Sequence, residues 1–139
     1  MRTTLWALPV VLSIGLGTGS LAQQRSVTTV GSVMQLMDAM TIPASNAVFN
    51  VGRQPPETDE EWSALALSAV VLAESGNLLL IRDRARDEAA WTEASQAMVE
   101  AGAAALGAVE ARDVDALLDA GDVVFGSCEA CHATYLKRE

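Results

Sequence analysis

Apolar residues recur along most of this chain at intervals of three and four, in runs separated by clusters of Gly, Pro and charged residues. That pattern predicts amphipathic helices and no strands. Projected at about 100° per residue, Val30, Val33, Met37, Met40, Ala44, Val48 and Val51 fall within a sector of about 80°. They predict a first helix from about Ser26 to Val51. Pro43 lies inside it, which predicts a kink or local break near Met40 to Ile42. Gly52-Arg53-Gln54-Pro55-Pro56 ends the helix and forms the first long loop.

Thr58-Asp59-Glu60-Glu61 has the form of a capping box, with more acid in the first turn, so a second helix starts near Asp59. Trp62, Leu65, Ala66, Ala69, Val70, Ala73 and Leu80 are its expected inner face, with Gly76 allowing close approach of a neighbour. The charge-alternating run Arg82-Asp83-Arg84-Ala85-Arg86-Asp87 reads as a solvated loop. A third helix follows from about Glu88 to Ala111, its inner side formed by Trp91, Ala94, Met98, Ala101, Ala105 and Ala108. Those small residues suit either tight packing or space for a bulky ligand. Asp113 caps a fourth helix from about Val114 to Lys137, with Asp115 in its first turn and Lys137 and Arg138 in its last, both favourable to the helix dipole. Four helices joined by short connections predict an all-α, antiparallel four-helix bundle.

The N-terminus does not belong to that pattern. Arg2 supplies a positive start, Leu5 to Leu16 is mostly apolar, and Ser20-Leu21-Ala22 places small residues where a signal peptidase reads. Residues 1–22 are therefore expected to be a cleaved signal peptide, with residues 23–139 as one domain and no stable membrane insertion after cleavage. Removing Arg2 takes the formal charge from −9 to −10. An acidic surface of this kind is unsuited to nucleic acid, and a protein docking on it would carry complementary basic surface.

Candidate chemistry is confined to one short stretch. Cys128-Glu129-Ala130-Cys131-His132 holds both cysteines and the single histidine. Two thiols three residues apart, followed at once by an imidazole, form the pattern for covalent attachment of a c-type haem, with the histidine as an axial ligand of its iron. A structural zinc site would need about four ligands, and a thioredoxin-like pair would lie beside a strand–helix pattern. Export agrees with the haem reading, since thioether bonds would consume thiols that are liabilities in an oxidising compartment. On the fourth helix, Leu117, Leu118, Gly121, Val124, Phe125, Cys128, His132, Tyr135 and Leu136 share one broad apolar face with Cys131 at its edge. The haem is thus expected on the side of the last helix that faces the other three.

With His132 used, a sixth ligand would have to be methionine, a less usual group or water. Met98 reads as core. In the first helix Met37 lies about 15° from the centre of the apolar stripe, Met40 about 45° and Met34 about 75°. Met37 is therefore the first candidate, ahead of Met40 and Met34, although a methionine on such a stripe is more often a core filler.

With its signal segment, its four predicted helices and a C-x-x-C-H run near the C-terminus that continues as Ala133-Thr134-Tyr135, the chain resembles the cytochrome c-prime family, the class II cytochromes c. That resemblance implies a left-handed antiparallel bundle with one haem c bonded to the fourth helix and covered by the first. One branch of the family leaves the iron five-coordinate and binds nitric oxide or carbon monoxide. The other, low-spin branch, of cytochrome c-556 type, places a first-helix methionine on the iron and transfers electrons. Gln35-Leu36-Met37-Asp38 is similar to the Leu-Met pair of the second branch, as are the Ile42-Pro43-Ala44-Ser45 break and the tryptophans opening the second and third helices. Many family members carry a basic residue where this chain has Val33, so no partner for a haem propionate follows. The expectation is a periplasmic monohaem electron carrier and no enzyme, with gas binding as the alternative. The family also implies a homodimer formed through the first two helices.

Overall fold

The computed structural model describes residues 27–86 and 89–136. The expected signal peptide, the expected third-helix start at Glu88, and Lys137 and Arg138 lie outside them. All regular elements among the described residues are helical, and they pack as a four-helix bundle. Helix α1 covers residues 33–50 in three continuous pieces: an α-helical turn Val33–Leu36, a π-helical turn Met37–Thr41 and an α-helix Ile42–Asn50. Helices α2, α3 and α4 are Asp59–Leu79, Ala90–Ala111 and Val114–Tyr135.

Helix α1 begins later than its apolar spacing predicts. Ser32 Oγ accepts a hydrogen bond from the Gln35 N–H at 3.2 Å, and Gln35 Oε1 accepts one from the Ser32 N–H at 3.0 Å. This capping box satisfies two donors that a helix start would leave orphaned. Val30 precedes the helix and is fully exposed.

Pro43 brings the expected local irregularity in the form of a π turn, Met37–Thr41, which begins earlier than Met40. The backbone stays helical through Ile42, whose N–H bonds the Met37 carbonyl five residues back. Proline offers no N–H, and its ring presses on the carbonyl four residues before it; a widened turn answers both problems without interrupting the helix. The wider turn holds one extra residue, so faces on either side of it are offset by about 100° from a straight α-helix. The core stripe of α1 is consequently Leu36, Ala44, Val48 and Val51, all buried.

Helices α2 and α3 form the tightest seam. A Cβ added to Gly102 would lie 2.6 Å from the Ala73 nitrogen, and one on Gly76 would lie 2.9 Å from the Ser95 carbonyl oxygen. Ala69, Ala101 and Ala105 are buried around this contact, so the small residues of α3 serve packing along most of its length. Trp91 donates its indole N–H to the Leu79 carbonyl at 2.8 Å, joining the start of α3 to the end of α2. At the opposite ends, Arg112 pairs with Asp59 at 2.6 Å. Leu72, Leu79, Ser75 and Gly76 join Trp62, Leu65 and Ala69 in the interior, whereas Val70, expected inside, is 40% exposed. Helix α2 is inner to two neighbours, α1 and α3, and its buried face is wider than one stripe. It is long and apolar enough to cross a membrane; Leu65, Ala69, Leu72 and Leu79 place part of that apolar surface in the core, while Leu67 and Val70 stay exposed.

Helix α3 ends at Arg112, which has φ 54° and ψ 36°. The Arg112 and Asp113 N–H groups bond the Val109 and Ala108 carbonyls, both at 3.0 Å, a Schellman-type stop. Asp113 then accepts the Ala116 N–H at 3.0 Å and starts α4 at the expected position. In the 82–86 loop Arg82, Asp83, Ala85 and Arg86 are exposed, as the charge pattern predicts, while Arg84 is half-buried. Arg84 donates to the Leu78 carbonyl at 2.8 Å and twice to the Gly31 carbonyl, at 3.2 and 3.1 Å, clasping the loop to the entry of α1.

Candidate functional site

Close packing between α1 and α4 is concentrated in the 42–50 half of α1. Along one face of α1 from Met37 to Phe49 the two helices enclose an apolar slot of about 230 Å³. Met37, Thr41, Ile42, Ser45, Asn46 and Phe49 line it from α1, and Phe125, Ser127, Cys128, Cys131 and His132 from α4. Leu79 of α2 and Ala94 and Met98 of α3 form its inner wall.

The slot therefore brings together Met37, Cys128, Cys131 and His132, from opposite ends of the chain. Met34 is 59% exposed and does not line it. Met40 packs against the core cluster and does not line it either. Met98 is core, as expected from its position, and also part of the slot wall.

Local folding explains this selection. On an unbroken α-helix Phe49 would stand about 120° from Met37; the extra residue of the π turn removes about 100° of that. Met37, Ser45 and Phe49 then share one face, turned toward α4, while Leu36 takes the core position that the wheel assigned to Met37. The constant-pitch projection named Met37 on the premise that it aligned with Val48, and that premise does not hold. Val48 is 2% exposed in the core, whereas Met37 is half-buried in the slot.

The apolar face expected on α4 divides in two. Leu117, Ala120 and Val124 are buried, while Leu118, Phe125 and Leu136 are exposed, as is His132. The reason is that α4 meets α3 along its length and α1 only along 42–50, so residues on the α1 side face the slot and its mouth. Tyr135 stays inward, its ring against that of Trp91 with centroids 4.9 Å apart, edge to face. Phe49 and Phe125 form a similar pair at the slot mouth, 6.4 Å apart. Outside them a second, open depression of about 550 Å³ continues along α4 past Phe125, Cys128, His132 and Leu136. A larger depression of about 680 Å³ beside Pro55 and Pro56 carries no thiol or imidazole and belongs to other surface.

Burial pushes both thiols up from their ordinary range. A hydrogen bond with Ser127 partly offsets this for Cys128, and the neighbouring Cys128 adds to it for Cys131. Both stay protonated at neutral pH, and they sit near the C-terminal, negative end of a helix dipole, which disfavours a thiolate further. Thiol–disulfide chemistry asks for the opposite environment. Among the described residues no group of three or more His, Cys, Asp and Glu side chains is placed to hold a bare metal ion. The two thiols and the imidazole follow one another along a wall instead.

The wall has a polar seam. Thr41, 4% exposed, donates its hydroxyl to Ser75 Oγ at 3.0 Å, and Ser75, fully buried, donates to the Leu72 carbonyl at 2.7 Å. Ser45 donates to the Ile42 carbonyl at 3.1 Å. Among the described residues no buried side-chain polar atom lacks a partner, so the slot makes no demand for a strongly polar ligand. An apolar interior, an open outer side, two half-buried thiols on one wall and a thioether on the other fit a flat apolar macrocycle bonded to α4. Thr41, Asn46, Phe49, Leu79 and Ser127 were not singled out from the sequence. Phe49 shares its face with Met37 only through the π turn, which a fixed projection does not contain.

No protein-family model, curated protein or solved structure matches the chain.

Proposed function

We propose that the chain is an exported, periplasmic c-type cytochrome that carries single electrons. Cys128 and Cys131 would hold one haem c by thioether bonds, and His132 and Met37 would ligate its iron. The observation that carries this reading is the common slot: the C-x-x-C-H residues and one of the three first-helix methionines line the same cavity. An antiparallel run of α2, α3 and α4 is supported by the pairing of opposite ends, Trp91 with Leu79, Arg112 with Asp59 and Trp91 with Tyr135.

Bound there, the haem supplies a one-electron couple between ferric and ferrous iron. The residues do the rest. A thioether ligand from Met37, together with the His132 imidazole, would favour the reduced state and raise the potential. Leu79, Ala94 and Met98 keep water from the inner wall, and rigid helices hold both ligating side chains with little rearrangement on electron transfer. The lining contains no carboxylate, amine or guanidinium, which suits electron carriage better than acid–base catalysis. Asp115, Asp119, Asp122 and Glu129 are exposed along α4 and would steer a redox partner with a basic surface. Leu67 and Val70, exposed on α2, suit the homodimer implied by the family resemblance.

The test is the absorption spectrum of the exported, haem-loaded protein with and without carbon monoxide. A low-spin spectrum indifferent to the gas is expected, and Met37→Ala should abolish low-spin character and admit carbon monoxide. An unchanged spectrum in that variant rejects Met37 as ligand. A fast, large response of the unaltered protein would instead favour a five-coordinate, gas-binding role.

A further inference from the structure

We infer that Thr41 and Ser75 are positioning residues for Met37, acting through the π turn that lies between Met37 and Thr41. The inference rests on the proposed function, since it concerns how Met37 is presented to the slot. Met37 and Thr41 are the first and last residues of the turn. Straightened to an α-helix with the 42–50 half fixed in the bundle, the turn would swing residues 33–37 by about 100°. Met37 would leave the face it shares with Ser45 and Phe49, and the slot with it.

Two features of the sequence oppose that straightening. Pro43 lacks the N–H that an α-helical bond to Ala39 requires, and its ring disfavours the tighter turn. Thr41 is pinned from outside the helix by its 3.0 Å bond to Ser75, in the fully buried chain that ends on the Leu72 carbonyl. No other side chain–side chain hydrogen bond between described residues is buried. It ties the end of the π turn to α2. A π turn within an α-helix often accompanies a functional site, and here the ligand candidate is its first residue.

Thr41→Val keeps the side-chain shape and removes the donor, while Ser75 keeps its own bond to Leu72. The fold therefore has no newly orphaned buried donor to expel. In haem-loaded protein, Thr41→Val and Ser75→Ala should each lower the ratio of sulfur-ligated to unligated iron by about three- to tenfold. The signal to follow is the sulfur-to-iron charge-transfer absorption of the ferric form, together with carbon monoxide uptake. Thr41→Ser, which keeps the hydroxyl, should restore the ratio, and Pro43→Ala should lower it by releasing the turn. Helix content by circular dichroism should stay unchanged in all four variants. Should Thr41→Val fail to fold, Ser75→Ala reads the same bond from the other helix. Loss of the signal in Met37→Ala with no change in Thr41→Val, Ser75→Ala and Pro43→Ala overturns this inference and leaves the ligand assignment standing. An unaltered signal in Met37→Ala overturns both.

Discussion

The α2–α3 seam and the α1–α4 seam are made from the same kinds of residue and end in opposite states. On the first, Gly76, Gly102 and a row of alanines let two backbones touch, and the core behind them is closed. On the second, Gly121 meets only a Val48 methyl at 3.8 Å from an added Cβ; Gly126, on the exposed side of α4, has nothing within 4 Å of one. Phe49, Leu118 and Phe125 remain exposed there. The closed seam supplies stability. The open one keeps apolar surface available at the place where the thiols, the imidazole and Met37 meet, which is where a binding site has to forgo packing.

The largest expected difference comes from truncating one large residue on each side. Leu72→Ala empties a fully buried position and should cost about 2–5 kcal/mol, read as a fall in the denaturation midpoint. Phe125→Ala, at a site 54% exposed, should move the haem-free protein by only about 0.5 kcal/mol, and haem-loaded protein by more. Equal losses in the haem-free forms would erase the distinction between the seams.

A smaller effect, but one of opposite sign, is expected at the glycines. Gly102→Ala drives a methyl into the Ala73 backbone and should destabilise by about 1–3 kcal/mol. Gly126→Ala meets no neighbour and should gain up to about 1 kcal/mol from helix propensity. Thermal melts of the two variants side by side would decide it.

The smallest effect lies at the entry to α2. The Glu61 carboxylate accepts the Glu57 and Thr58 N–H groups at 2.8 and 2.9 Å, and these bonds, with that of the Thr58 hydroxyl, hold its pKa below the usual 4.5. A depressed carboxylate stabilises the fold above its unfolded pKa and loses that contribution as pH falls through the folded one. Glu61→Gln should therefore trail the unaltered protein by a constant margin at neutral pH. The gap should close as pH drops below 4.5, as seen in midpoints measured across that range. A gap that widened in acid would contradict the assignment.

Much of the fold was legible because local chemistry acts over a few residues. Thr58 with Glu61, and Asp113 before Val114, mark helix starts that no tertiary contact needs to create. Ser32 and Gln35 carry the same signal, but the apolar spacing through Val30 places the expected start at Ser26, about two turns too early. Arg84 was not legible: its three backbone bonds depend on where Gly31 and Leu78 come to lie. Nor was the division of the α4 face, since Phe125 and Val124 differ only in which neighbour stands opposite.

By itself, then, the sequence determined that the chain is helical, where most helices start, and which five consecutive residues hold the thiols and the imidazole. These follow from hydrogen-bond capping, apolar spacing and residue identity, all short-range. It also ranked Met37 first among the methionines, from a projection that assumed constant pitch. Only the tertiary structure decided that Met37 faces the slot while Leu36 faces the core. That depends on one extra residue held in a turn by Pro43 and by a bond to α2, and on an α4 that α1 covers along only half its length.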